Sequence, residues 1–319
     1  MARLLFITLL LLLTLASPFI GVMDISWSAL QLPDSVEHKI FFELRLPRML
    51  LAFFSGIILA LSGWLFQTLF RNALMTPYTL GISGGAVLGT GIAVVLGASS
   101  SFLGMTSSAL FGFLGALLSV VLILWLSRFI QHRGSNALLL LGIALSFFFS
   151  AALMVLFSLA SALQSHAILR YTMGTLSTMG YTQTLLVALM AALLFATLYF
   201  KRFELSLLGV NEDHAKLKGI NTQKLTYFLL FVSSLAIGVL ISITGPIGFV
   251  GLIIPHIARL LYTQANHLLI IPTALLGGLF LASCDTLSRL PQLQSEIPIG
   301  IVTAFIGGPF FIYLIIKGR

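Results

Sequence analysis

Charged residues are scarce in this sequence, because Asp, Glu, Lys and Arg make up only 8% of its 319 residues. Soluble domains carry about 25% charged residues, so the composition excludes an ordinary soluble protein. Hydrophobic residues make up 59%, with a mean hydropathy of +1.09, in runs near the roughly 20 residues that cross a bilayer. The alternation that a transmembrane β-barrel requires is missing. We therefore expect an all-α, polytopic membrane protein.

Cysteine is nearly absent, and the single residue Cys284 excludes an internal disulfide. It lies in an apolar run, where a small buried side chain is the expected role. The motifs GxxxxGK[ST], HExxH and CxxC are also absent, so the sequence predicts neither an ATP-binding P-loop nor a zinc site. We expect this chain to bind no cofactor, metal or nucleic acid and to have no enzymatic activity.

Carboxylates are missing from the middle of every long apolar run, and Asp285 comes only at the end of one. Carriers driven by an ion gradient generally need ionisable groups within the membrane. The sequence therefore disfavours an ion-coupled secondary transporter and indicates that this chain lacks an energy source of its own.

The apolar residues form ten segments joined by short connections. We predict membrane helices at about 4–23, 46–70, 79–100, 103–127, 137–163, 182–200, 225–243, 247–262, 268–284 and 297–316. Because no soluble module interrupts them, residues 1–319 are predicted to form one membrane domain. The first segment is similar to a signal peptide, but its apolar run continues to Met23, and we expect it to be retained. The connection at 163–181 is predicted to hold a short surface helix.

The basic residues are divided unequally between the two sides of the membrane. With the N-terminus inside, the inner side holds twelve: Arg3, Arg71, Arg128, Arg133, Lys201, Arg202, Lys216, Lys218, Lys224, Arg259, Lys317 and Arg319. The outer side holds five: Lys39, Arg45, Arg48, Arg170 and Arg289. Since cytoplasmic connections are enriched in Lys and Arg, we predict that both termini are cytoplasmic.

Two segments are rich in glycine. Gly81, Gly85 and Gly89 recur at four-residue spacing, which suits either close helix packing or the lining of a pathway. Glycine and proline are so dense in 244–260 that we expect a break in the helix at membrane depth, where irregular backbone persists only inside protein or beside water. His256 within it is expected to be a hydrogen-bonded structural residue, with ligand binding as the alternative.

The main inner connection, 201–224, contains a short helix with well-defined ends. Asn211 suits the N-cap, Glu212 and Asp213 suit the positive first turn, and Gly219 suits the left-handed position after the helix. Two helical turns are too short to be stable alone, so we expect the helix to dock on a partner. A solvated loop is the alternative.

Three outer arginines form the last pattern. Arg45 and Arg48 of the RLPR motif share the outer side with Arg289. Three exposed guanidiniums suit bidentate pairing with carboxylates on another molecule. The alternatives are pairing with Glu43 or Glu296 of this chain, or with lipid phosphate.

Several segments of the sequence resemble those of a known family. The segment LRLPRMLLAFFSGIILALSGWLFQTLFRNALMTPYTLGISGGAVLG (44–89) is similar to the signature block of the FecCD-type permeases. These are the membrane subunits of type II ABC importers for iron–siderophore complexes, haem and vitamin B12. Later blocks match in the same order at 138–146, 208–220, 245–260 and 296–315.

The resemblance implies ten transmembrane helices in the bacterial cytoplasmic (inner) membrane. It implies a second permease subunit, identical or paralogous, two cytoplasmic ATPases that hold ATP and Mg²⁺, and a periplasmic or lipid-anchored binding protein. Transport would proceed by alternating access, with a ferric siderophore as the expected cargo and haem or vitamin B12 as alternatives. From other classes, an ion-coupled secondary transporter and a scaffold or channel without an ATPase remain alternatives.

The resemblance also implies roles for individual residues. Arg45, Arg48 and Arg289 match arginines that meet glutamates of the binding protein. The coupling helix that enters the ATPase corresponds to Asn211, Glu212, Asp213, His214, Ala215, Lys216, Leu217 and Lys218. The family's RNPL turn, near the inner gate, corresponds to Arg71, Asn72, Ala73 and Leu74, with Ala73 in place of proline. The expected pathway and gate residues are Asn72, Leu74, Gly81, Gly85 and Gly89.

Overall fold

Helices make up nearly all of the structure. The computed structural model describes residues 2–21, 23, 25, 31, 35–98, 101–102, 105–130, 135–262, 265–290 and 296–316. Its longer helices are α1 (Ala2–Ala16), α3 (Leu46–Phe70), α4 (Ile82–Val95), α5 (Ser107–Ile130), α6 (Ser135–Leu159), α8 (Thr182–Phe200), α11 (Thr222–Thr244), α12 (Val250–Leu261), α13 (Ile270–Ser288) and α14 (Ile299–Ile316). The shorter helices are α2 (Val36–Lys39), α7 (Ala162–Thr172), α9 (Arg202–Val210) and α10 (Glu212–Leu217).

The ten longer helices occupy the ten predicted segments. Within the described ranges, six helical stretches are long and apolar enough to cross a membrane: Val36–Phe70, Ser107–Phe129, Ala137–Leu159, Thr182–Phe200, Thr222–Thr244 and Ile270–Ser288. Four shorter apolar helices complete the set: Ile7–Phe19, Ile82–Val95, Val250–Leu261 and Ile299–Leu314. The all-α prediction is confirmed, with a two-residue hairpin of β1 (Ser101–Phe102) and β2 (Met105–Thr106) as a local addition.

The orientation stays a prediction, and we name the two ends of the molecule by it. Arg133, Lys317 and Arg319, which contribute to the charge count, lie outside the described residues. The predicted surface helix at 163–181 is found as α7. Its first turn is fixed by a capping box, in which Ser161 and Gln164 each accept a hydrogen bond from the other's backbone N–H.

Helix α3 lies at the centre of the fold. Trp64 and Phe66 are fully buried, and the helix packs against α8, α11, α12 and α13. Small residues allow this packing, because Gly56 faces the backbone of Gly277 and Gly63 faces that of Gly251. Helices in membranes associate through such small-residue contacts. The central position of α3 places its outer end beside α13 and its inner end beside α12.

The predicted break at 244–260 is confirmed. Helix α11 ends at Thr244, Gly245 has a φ of +69°, and Phe249 has a φ of +67° immediately before α12. Bulky residues rarely adopt a positive φ, so the surrounding structure must hold Phe249 in place. The backbone N–H of Ile247 donates a 2.8 Å hydrogen bond to the Tyr78 hydroxyl. The break therefore packs against the segment that leads into α4.

Candidate functional site

An ion cluster joins the outer ends of α3 and α13. Arg48 Nε and Nη2 both lie 3.0 Å from Asp285 Oδ1, and Arg289 Nη2 lies 3.0 Å from Asp285 Oδ2. Arg48 Nη1 also lies 2.8 Å from Glu296 Oε2. The Asp285 side chain is completely buried, whereas that of Glu296 is 57% exposed. We call Arg48, Asp285, Arg289 and Glu296 the outer cluster.

Arg45 lies beside this cluster but has different partners. Its guanidinium donates hydrogen bonds to the carbonyl oxygens of Pro18, Phe19 and Met23, at 3.2, 3.3 and 2.5 Å. These carbonyls follow the end of α1, where helical hydrogen bonding stops and carbonyl groups need donors. Arg45 therefore fixes the chain that follows α1 against the start of α3.

The expectation of three exposed guanidiniums is wrong. Arg45 and Arg289 are only 8% and 7% exposed, and the Arg48 side chain is 13% exposed. A charge in a largely buried position needs a partner, and the central partner is Asp285. The alternative of pairing with Glu296 is confirmed for Arg48. Sequence reasoning missed Asp285, although its four-residue spacing from Arg289 on one helix was a readable signal.

A cavity of about 410 Å³ lies at the inner ends of α3, α12 and α14. Its polar lining consists of Gln67, Arg71, Asn72, His256 and Arg259. Its apolar lining consists of Ala73, Leu74, Leu252, Ile253, Phe310, Phe311 and Leu314. These lining residues include two arginines and no carboxylate, so the cavity is cationic. We call it the inner cavity.

Three polar side chains in the wall of the inner cavity differ in their hydrogen bonding. Arg259 donates to the Gln67 side-chain oxygen, and Gln67 donates in turn to the Gly251 carbonyl at 3.2 Å. His256 Nε2 is buried and has no hydrogen-bond partner within the described part of the chain. The expectation of a hydrogen-bonded structural histidine is therefore not met at this nitrogen. His256 lies instead in the cavity wall, with its ring 6.2 Å from that of Phe310.

The turn that contains Asn72 and Leu74 forms one side of the inner cavity. The Asn72 side-chain oxygen accepts a 2.9 Å hydrogen bond from the Leu74 N–H, and its carbonyl accepts one from Met75 at 3.1 Å. Such a side-chain bond closes a turn without proline. Asn72 therefore holds the turn in which Ala73 replaces the family's proline.

A second cavity, of about 540 Å³, lies farther along α14 at the break before α12. It is lined by Tyr78, Thr172, Met173, Pro246, Gly248, Gly300, Ile301, Ala304 and Phe305. Phe305 in this cavity and Phe310 in the inner cavity are five residues apart on α14, about 7.5 Å along its axis. The two cavities therefore both lie along α14, one at the helix break and one at the inner end.

Gly81, Gly85 and Gly89 are not among the residues that line these two cavities, and their assignment to the pathway stays a prediction. Gly81 precedes α4 with a φ of +78°. A side-chain carbon on Gly85 would lie 2.5 Å from the carbonyl oxygen of Gly115 in α5, and Gly89 abuts the backbone of Phe111. The structure therefore supports the alternative that the sequence left open, close packing between helices.

Helix α10 confirms the predicted short helix in the inner connection. Asn211 caps it by accepting a 2.8 Å hydrogen bond from the Asp213 N–H, and Gly219 follows it with a φ of +78°. Glu212 Oε1 lies 2.9 Å from Lys216 Nζ and accepts a 3.2 Å hydrogen bond from Thr222. The hydrogen bond from Lys216, followed by that from Thr222, lowers the pKa of Glu212.

The outward face of α10 is exposed. Ala215 is fully buried and holds the helix against its neighbours, whereas Leu217 is 86% exposed. Val210, at the end of α9, is 77% exposed beside it. Exposed apolar side chains on a charged helix are typical of a surface that a partner covers. The exposed residues of the expected coupling helix thus form an accessible surface at the inner end.

Arg71 connects the end of α3 with the connection that carries α10. It has a left-handed φ of +48°, and its guanidinium donates a 3.1 Å hydrogen bond to the Leu208 carbonyl in α9. Arg71 also lines the inner cavity. A continuous set of contacts therefore joins α10, α9 and the cavity. Sequence reasoning missed this connection, because α9 was not predicted.

Comparison with known proteins adds independent evidence. The FecCD transport family model matches residues 4–317. The hemin transport system permease protein HmuU of Yersinia pestis is 36% identical over 319 residues, covering 98% of this chain and 94% of that protein. The molybdate import system permease protein MolB of Haemophilus influenzae is 35% identical over 309 residues, covering 95% and 89%. A solved metal-chelate type ABC transporter in an inward-facing conformation has a TM-score of 0.83 and 29% identity, covering 99% of each chain.

Sequence, fold and family therefore agree. The matches extend over nearly the whole chain, and they explain why it has helices and cavities for transport but no ATP-binding motif of its own. The chain belongs to the FecCD transport family, and it is a membrane-spanning permease subunit of an ABC importer.

Proposed function

We propose that this permease imports an anionic metal chelate, with a ferric siderophore as the first candidate. The observation that carries this proposal is the inner cavity, in which Arg71 and Arg259 face a volume without a carboxylate among its lining residues. A cationic, partly buried lining favours anionic ligands over neutral ones. Haem is the second candidate, because a similar permease is named for hemin transport. Vitamin B12, whose charge differs, is the weaker alternative.

The proposed assembly contains this subunit, a second permease subunit, two ATPases and an external binding protein. The exposed apolar residues of α14, including Phe305 at 81% and Ile312 at 59%, support packing on a second permease. The exposed face of α10 supports docking on an ATPase. ATP and Mg²⁺ belong to the ATPases in this proposal, and this chain neither binds them nor acts as an enzyme. We place the complex in the bacterial inner membrane, with both termini of this chain cytoplasmic.

Transport then proceeds by alternating access. Docking of the binding protein outside favours one arrangement of the permease pair, and closure of the ATPases inside favours the other. Coupling between two such sites is reciprocal. In this chain the inner signal would pass from α10 through α9 to Arg71, whose side chain contacts Leu208 and lines the inner cavity.

We place the outer docking site at fewer residues than the sequence predicts. Arg45 and Arg289 are nearly buried by contacts within the chain, so they hold the outer helix ends in place. Arg48 is the member whose second carboxylate partner, Glu296, is exposed. Docking of a glutamate from the binding protein is therefore proposed at Arg48, with Arg45 and Arg289 as supports.

Uptake by the reconstituted transporter tests the cargo. Proteoliposomes that contain both permeases and the ATPases, with the binding protein added outside, should take up ferric siderophore faster than cobalamin. Arg259→Gln should lower uptake of the siderophore about tenfold, because it removes a charge from the inner cavity. Arg170→Gln, a change of the same charge on the outer surface helix, is the matched control. Equal uptake of cobalamin and siderophore would contradict the proposed cargo class.

A further inference from the structure

We propose that Glu296 acts as an internal competitor for the binding protein's carboxylate, and that it sets the affinity of docking at Arg48. The inference rests on the proposed docking of a binding protein. It adds a residue that regulates this surface and a chemical requirement for the partner. That partner must present an exposed Asp or Glu that can replace Glu296.

Arg48 has two carboxylate partners, one that is fixed and one that can be replaced. Nε and Nη2 both contact Asp285 Oδ1 at 3.0 Å, on the buried side of the guanidinium. Nη1 contacts Glu296 Oε2 at 2.8 Å, on its solvent side. An incoming carboxylate would therefore compete with Glu296 for Nη1, the guanidinium nitrogen that does not contact Asp285.

Burial decides which of the two carboxylates can leave. Asp285 is completely buried and also pairs with Arg289, so separating it from Arg48 would leave uncompensated charge inside the protein. The Glu296 side chain is 57% exposed and gains water when it moves away. Exposed ion pairs contribute little net stability, so exchange at this position is easy.

The charge of the outer cluster also favours the exchange of Glu296 for a carboxylate of the partner. Its two guanidiniums and two carboxylates sum to zero while Glu296 is in place. When Glu296 moves away, the cluster has one unit of positive charge, which one carboxylate of a partner neutralises. While Glu296 is in place it also repels that carboxylate, so the surface favours a partner acid that reaches Arg48 closely enough to displace it.

The other two arginines do not offer such a position. Arg289 Nη2 donates to Ser17 Oγ at 2.8 Å, and its Nε donates to the Asp285 carbonyl at 3.3 Å. Arg45 binds carbonyl groups after α1. Both side chains are nearly buried, so their contribution to docking is to position the segments around Arg48.

Affinity for the binding protein tests the inference. The transporter, with its ATPases and in nanodiscs, is immobilised, and its cargo-free binding protein is titrated by surface plasmon resonance. Glu296→Gln should raise the affinity about fivefold, because it removes the competitor and keeps the side-chain shape. Glu43→Gln is the matched control, since Glu43 is an exposed outer glutamate outside the cluster and the change of charge is the same. It should change the affinity less than twofold.

Variants of Arg48 separate this inference from the docking proposal. Arg48→Gln should weaken binding at least tenfold, and Glu296→Gln should then give no further gain, because the two residues act on one interaction. Arg48→Lys keeps the charge opposite Asp285 and serves if the Gln variant folds poorly. If Arg48 variants weaken binding but Glu296→Gln does not strengthen it beyond the control, the competitor role is contradicted and docking stands. If neither Arg48 variant changes the affinity, both proposals are overturned.

Discussion

Asp285 determines the arrangement of the outer end of this permease. It is completely buried, yet it lies between two guanidiniums, at 3.0 Å from each. Buried carboxylates persist only where opposite charges compensate them. Arg48 comes from α3 and Arg289 from the end of α13, so this one side chain ties together two helices that are distant in the sequence.

We predict that Asp285→Ala lowers the free energy of unfolding by about 3–5 kcal/mol, because it leaves two buried guanidiniums without their shared partner. Thermal unfolding of the purified permease complex measures the effect. Glu296→Ala removes the exposed carboxylate of the same cluster and should cost less than about 1 kcal/mol. Equal losses of stability in the two variants would show that burial does not determine how much each carboxylate contributes to the free energy of unfolding.

At the scale of helices, local signals were readable from the sequence. The start of α10 at Asn211 and the glycine after it follow from caps that involve neighbouring residues, so their positions were predicted correctly. The ten membrane segments were found for a similar reason, since each is a continuous apolar run. Cap chemistry and run length do not depend on the rest of the fold.

Distant partners were not readable in the same way. The RLPR motif indicated arginines at a helix start, but Asp285 lies 237 residues from Arg48 and only the fold brings them together. The spacing of Gly85 and Gly89 predicted a smooth stripe, but not that α5 rather than a pathway covers it. The direction in which a helix face points is a tertiary property.

Helix α10 also gives a prediction about assembly. Leu217→Asp should weaken association with the ATPase about tenfold or more, because it places a charge at the most exposed apolar position of the proposed coupling helix. Co-purification of the ATPase at increasing dilution measures this. Leu163→Asp is the control, since Leu163 is 81% exposed on the outer surface helix α7. If the two variants lose the ATPase equally, or neither does, α10 is not the coupling surface.

At the scale of the whole molecule, single helices connect the two cavities with each other and the outer end with the inner end. The inner cavity and the cavity at the helix break share α14, which also has the exposed apolar residues proposed to pack on a second subunit. The outer cluster lies at one end of α3, and Arg71 lies at the other. Because α3 is packed on most sides, we propose it as the rigid element that would transmit a displacement from one end to the other. The proposed docking outside would be related to the proposed ATPase closure inside through this helix.

The most direct test of this account is the energy source for uptake. Proteoliposomes that contain the permease pair and its ATPases are supplied with binding protein and ferric siderophore on one side and ATP on the other. We predict that accumulation requires ATP, the ATPases and the binding protein together, and that proton or sodium gradients do not replace them. Accumulation that follows an ion gradient in the absence of ATP would contradict it.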